Sequence, residues 1–575
     1  MSMAALRIGA LLLMLVTASQ PSAAPRPVEF HLSPVMEGDS LRALHCEIRF
    51  AGETDGETVV RLPDEWGGER ALYRAVRDLR VEPASAKLLA GADSAHRVIH
   101  HAAGEPLVLR YTLIQDVPGL PRPTGKNPYR PLIQPGWFHV LGDAMLIAPE
   151  WDERTPATFS AGPWPTGWRF ASDLEHARAG DPLTLGDLYE SVSVGGDFRI
   201  VSRAHAGGAL RVAVRGAWSF SDSSLADRIE RVIASHRRFW RDPDEPFLVT
   251  LVPLVDDGQS SSLGGTGRAD AFAFFATGNA EEGALNRLLA HEHMHTWIPG
   301  RIGGLPARDE AMHYWLSEGF TDFYSMRLLV RDGLWSTTEY VNAVNEILQR
   351  YAQSPMRAAP ARVAADQFWT TREAQELPYQ RGFLLACKWD DELRRRHAGR
   401  RDLDDVMLAI HREAARHRAR DTTRFAVTLL VRAMMRAGVD ITQDLERHVA
   451  QGEPVLLPAG VLGDAARIEA RDEPEFDRGF DAAATNAAGG VITGLDPTSP
   501  GYAAGLRDGM RIVKREAGRP GDTSIDLVYR VRDGDNERLI QYRPVGKRTF
   551  VTQRIVPADT TRHTLERLGR RLAGE

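Results

Sequence analysis

The stretch His291-Glu292-His293-Met294-His295, followed by Glu318 in Trp315-Leu316-Ser317-Glu318-Gly319-Phe320-Thr321-Asp322, constrains this chain more than any other. Residues four apart share one face of a helix. His291 and His295 can therefore present both imidazoles to a single Zn2+ ion while Glu292 lies beside the open coordination position. Glu318 supplies the third ligand if a second, antiparallel helix carries it to the same point. Two imidazoles, one carboxylate and an open position describe a catalytic site, because a structural site closes its fourth position with another side chain. The chain must therefore fold so that two helices converge on one metal ion, as a metallohydrolase requires.

Leu285, Leu288 and Leu289 form the apolar stripe expected of a packed ligand helix. Asp322, one turn beyond Glu318, is placed to accept the second ring proton of a ligating histidine and fix its tautomer. His293 projects roughly 200° around the helix from His291, which excludes it as a ligand.

A chain of 575 residues exceeds what one core usually supports, so several domains are expected. Arg7, the apolar run Ile8 to Val16 and small residues up to Ala24 have the form of a secretory signal peptide, too short to span a membrane stably. Export to a bacterial periplasm follows as the expectation, with no stable membrane insertion after cleavage. A net charge of -6 argues against nucleic acid as a partner. The two cysteines, Cys46 and Cys387, cannot form a disulfide framework and are expected as isolated buried thiols.

Periodicity along the chain predicts a multidomain α+β protein. After the signal peptide at 1–24, short alternating runs such as Leu107 to Leu113 predict an N-terminal all-β domain over 25–205. Mixed strands and the two ligand helices occupy 206–335. A helical subdomain follows over 336–453, opened by Ser336-Thr337-Thr338-Glu339, a serine cap with glutamate three residues on. Short strands return in a small module over 454–560, leaving 561–575 as a C-terminal tail.

Together these residues resemble the glycyl aminopeptidase family of metallopeptidases. The likeness is carried by His291 to Trp297, Arg301-Ile302, and Trp315 through Phe323. It implies an N-terminal β domain, a thermolysin-like zinc peptidase domain, a helical domain and a C-terminal PDZ-like domain. Gly489 to Leu495 and Ser499 to Gly509 resemble a PDZ strand, short helix and turn, with Met510 where an aspartate is usual. Such a domain can take a peptide C-terminus or serve only for packing. In related gluzincin aminopeptidases a Tyr-x-x-Gly element places a phenol near the substrate carbonyl. Tyr379-Gln380-Arg381-Gly382 matches it, which implies Tyr379 as oxyanion stabiliser, with core packing as the alternative. Trp297 and Arg301 are expected to pack and pair locally.

One departure bears on the substrate. Where the family has Gly-Gly-Leu-Glu-His, this chain has Gly264-Gly265-Thr266-Gly267-Arg268. The family's glutamate grips the substrate's free amino terminus, whereas Gly267 can hold no ammonium and Arg268 would repel one. Either Asp270 takes the amine, or Arg268 binds a carboxylate or blocked end. A third reading makes Gly264 to Gly267 a flexible turn before an edge strand, Ala271 to Ala276. The expectation is hydrolysis of peptides or proteins by a water that the metal acidifies and Glu292 deprotonates, in an aminopeptidase-like exopeptidase with altered recognition of the N-terminus. Its alternatives are an endopeptidase and a non-catalytic periplasmic PDZ scaffold.

Overall fold

The computed structural model describes residues 27–575 apart from 123–126, 176–181, 256–260, 269, 281 and 421. The segment read as a signal peptide lies outside the described residues. No helix among them is long and apolar enough to cross a membrane. Cys46 and Cys387 are unpaired, and burial pushes the Cys46 thiol up to about 12.

The N-terminal region is built from strands. A five-stranded sheet places Ser40–Ala51 between Val28–Glu37 and Pro106–Leu113, with a core of Phe30, Ile48, Leu109 and Tyr111. Alternation does the work here: along Pro106–Leu113, Leu107, Leu109, Tyr111 and Leu113 are buried while their neighbours are not.

The next sheet carries the site. Its order is Arg199–His205, Gly208–Val214, Phe247–Pro253, Ala271–Ala276, Leu263–Gly267. The central Phe247–Pro253 strand runs parallel to both of its neighbours, and its nearly unbroken apolar sequence suits a strand covered on both faces. Two expectations are corrected. Ala271–Ala276 is an interior strand, buried along its whole length, and the edge strand is Leu263–Gly267, so the glycine run is paired backbone rather than a flexible turn. Arg199–His205, assigned to the N-terminal domain by sequence, pairs instead with Gly208–Val214 in this sheet.

Glu282–Met294 is the first ligand helix and Tyr314–Arg331 the second. A third helix, Arg372–Arg396, packs across the second at two glycines. A Cβ on Gly382 would lie 1.7 Å from the Trp315 carbonyl oxygen, and one on Gly319 would lie 2.6 Å from the Cα of Gly382. Only glycine permits that approach, and it brings Tyr379, one turn before Gly382, over the first turns of the second ligand helix. Helix Thr337–Gln353 begins with the expected box: Ser336 and Glu339 satisfy each other's backbone amides.

Beyond the helices, Ala466–Phe476 and Val545–Pro557 form a long antiparallel ribbon. It frames a three-stranded sheet, Arg511–Ala517, Leu527–Asp533 and Asn536–Tyr542. Met510 is buried there with Leu506, Leu527 and Val531. The last residues do not form a tail. Arg562–Ala573 is a helix whose Leu568 and Leu572 enter the main helical core, and Arg331 Nε donates to the Ala573 carbonyl at 2.6 Å.

Candidate metal centre

His291, His295 and Glu318 come together with ligand atoms within 4.8 Å of one another. Glu318 Oε2 lies 3.3 Å from His291 Nε2 and 3.4 Å from His295 Nε2, and the two Nε2 atoms are 3.1 Å apart. The far ring nitrogens are held as well. His291 Nδ1 donates to Asp322 Oδ1 at 2.9 Å and His295 Nδ1 to the Ile298 carbonyl at 2.9 Å, so both Nε2 lone pairs face the same point. Two imidazoles and a carboxylate with fixed orientation fit a divalent cation that favours nitrogen and oxygen donors. Burial alone would raise the Glu318 carboxyl, but the His295 and His291 rings against it hold it well below its ordinary range.

Glu292 is close by but outside this set. Burial raises its carboxyl above the usual glutamate range, and the Gly267 amide donates to it. Tyr379 stacks on His291, with ring centroids 5.7 Å apart and planes 18° apart. Burial, with Glu318 next to it, raises its phenol well above the ordinary tyrosine value, so it keeps its proton and remains a donor. His293 faces away: its Nδ1 lies 3.0 Å from His236 Nδ1, and burial keeps both rings neutral. Trp297 Nε1 and Arg301 Nη1 each donate to Asp242 Oδ2 at 2.6 Å.

The residues considered for the substrate separate. Gly264 and Gly265 lie on the edge strand and Gly267 faces Glu292, where an added Cβ would sit 3.4 Å from Oε2. Arg268 does not line the cleft, which corrects the expectation that it meets a substrate end. Its side chain is fully buried, paired with Asp143, donating to the Tyr189 carbonyl at 2.7 Å and lying 4.3 Å above the Trp66 ring. It ties this sheet to two short helices of the N-terminal region, Gly142–Met145 and Leu185–Tyr189. Asp270 lies at the turn beyond Gly267, where its charge acts on Arg237 and Asp173. Sequence reading missed Tyr129, whose hydroxyl donates to the Gly265 carbonyl at 2.8 Å and whose phenol is pushed up to about 12 by burial, with a contribution from Glu292. It sits in the short 3-10 helix Asn127–Tyr129, 136 positions before Gly265, and no spacing rule announces it.

Residues 284–382 match the family described as M61 glycyl aminopeptidase. The match spans 99 of the 575 residues. It contains the three converging residues His291, His295 and Glu318, together with Glu292 and Tyr379, and the chain is a metallopeptidase. No curated protein matches the chain. Among solved structures, an aminopeptidase N family protein from Idiomarina loihiensis is 14% identical, with 95% of this chain and 100% of that one covered at a TM-score of 0.67. An M1 zinc metallopeptidase from Deinococcus radiodurans is 17% identical over 76% of this chain and 96% of its own, at a TM-score of 0.45. The first likeness extends the shared fold across nearly the whole chain.

Asp322→Asn is expected to weaken Zn2+ binding about 10- to 100-fold, because an amide no longer anchors the His291 ring as an anionic acceptor does. Competition with a chromogenic chelator measures this; unchanged affinity would remove Asp322 from the metal centre.

Proposed function

We propose that this chain is an exported, zinc-dependent peptidase of the periplasm that removes residues from the amino ends of peptides. The observation that carries the reading is the convergence of His291, His295 and Glu318 within 4.8 Å with the buried carboxylate of Glu292 next to them. A Zn2+ ion held by these three ligands would supply Lewis acidity, acidifying a water and polarising the scissile carbonyl. The remaining steps fall to the chain. Glu292 takes a proton from the attacking water and returns it to the leaving nitrogen, and its raised basicity favours that exchange. Tyr379 donates its hydroxyl proton in a hydrogen bond to the oxygen on which negative charge develops. Gly265 and its neighbours offer an edge strand against which a peptide can lie extended.

Gly267 favours a second reading, internal cleavage, because no carboxylate stands there to hold a free ammonium. The C-terminal module, read as PDZ-like from its resemblance, is proposed to take a peptide C-terminus. The decisive experiment incubates zinc-quantified protein with matched peptides bearing free or acetylated amino ends and maps products by mass spectrometry. Stepwise trimming of only the free-amine peptides is the expected result. Equal cleavage of acetylated peptides would replace it with the endopeptidase reading, and no metal-dependent cleavage would overturn both.

A further inference from the structure

A cavity of about 300 Å³ opens beside the metal centre. Arg287 on the first ligand helix contributes to it, as do Ile347 and Arg350 on Thr337–Gln353 and Arg372 on the third helix. Asp322 and Tyr379, which also line it, both touch His291, so the cavity adjoins the metal centre. Its size suits a single substrate side chain or chain end.

The charges lining it do not cancel. Asp322 is committed to His291. Glu376, also in the wall, accepts from Arg372 Nε at 2.7 Å and from Gln380 Nε2 at 3.3 Å. Arg287 lies 5.9 Å from the centroid of the Trp335 ring, and neither it nor Arg350 has a carboxylate partner among the described residues. Two guanidinium groups, one half-buried and one at the rim, thus face a cavity whose acids are already engaged. A guanidinium's planar fork of donors matches a carboxylate better than any other peptide group.

We infer that this cavity is a substrate subsite for a carboxylate, held by Arg287 and Arg350, either on a glutamate or aspartate side chain or at the terminus of a short peptide. The inference rests on the peptidase reading and adds to it a class of substrate.

The test uses short alanine peptides carrying a single Glu or Gln at each position in turn, each as free acid and as amide. At one position kcat/KM for Glu should exceed that for Gln by about tenfold or more, the scale of a charge-assisted hydrogen bond. If the terminal carboxylate is the ligand, amidation should cost that factor instead. Arg350→Gln and Arg287→Gln should each bring the ratio towards one. Arg350 is exposed, so its replacement leaves the core untouched; thermal unfolding checks Arg287→Gln. Calorimetric binding of the same peptides to Glu292→Gln protein should show the same preference without turnover. Cleavage with no charge preference, or a preference that survives both substitutions, overturns the subsite alone. Cleavage of none of the peptides by the wild type overturns the peptidase reading and the subsite with it.

Discussion

Glu292→Gln should bind Zn2+ as the wild type does and lose turnover by about 10³-fold, the range typical of removing a general acid-base group. The two properties separate because Glu292 is not among the three converging donors. Glutamine keeps the volume of glutamate and an oxygen that can still accept from the Gly267 amide, so the edge strand and ligand helix stay in place. What it lacks is a basic lone pair at the carboxylate's position. With no group to take the water's proton or return it to the leaving nitrogen, about 4 kcal/mol is added to the barrier. Metal content by mass spectrometry and kcat on a free-amine peptide test the claim together. A variant that keeps both metal and full activity would assign the base elsewhere; one that loses metal would make Glu292 a structural support of the centre.

The parts of this site that could be read from sequence are those fixed by local periodicity. The i, i+4 spacing of His291 and His295, the single turn between Glu318 and Asp322, and the Ser336 to Glu339 box each need only one helix to take shape. Where a partner lies far along the chain, the sequence said nothing or misled. Arg268 reads as a substrate contact because it follows the glycine run, yet its partner Asp143 lies 125 positions earlier, in the short helix Gly142–Met145. Ala271 to Ala276 is expected as an edge strand and the glycine run as a turn, although Ala271 to Ala276, apolar at every position, has the pattern of a strand covered on both faces. The closing helix at Arg562–Ala573 was taken for a tail because its role depends on the core it meets, Leu568 and Leu572 packing among residues some two hundred positions upstream. Gly319 and Gly382 are a further case: each lies in a motif legible in the sequence, but the reason it is glycine lies in the approach of two helices.

That approach makes Tyr379→Phe the sharpest test of the oxyanion assignment. The substitution removes one oxygen and leaves the ring stacked on His291, so Zn2+ affinity and thermal stability should change little. Turnover should fall about 10²- to 10³-fold, the usual consequence of deleting one donor aimed at a developing oxyanion. The loss should appear in kcat with KM nearly constant, because the hydrogen bond is worth most when charge accumulates in the transition state. Core packing, the rival role for this tyrosine, gives the opposite signature: a lower melting temperature and little effect on kcat. The phenol's raised pKa adds a second discriminator. A hydroxyl that keeps its proton well above the ordinary tyrosine range donates throughout the working pH range, so the ratio of wild-type to Tyr379→Phe kcat should be flat from neutral to moderately alkaline pH. A ratio that collapses as pH rises through the ordinary tyrosine value would show the phenol ionising freely and would overturn the assignment of a buried, protonated donor.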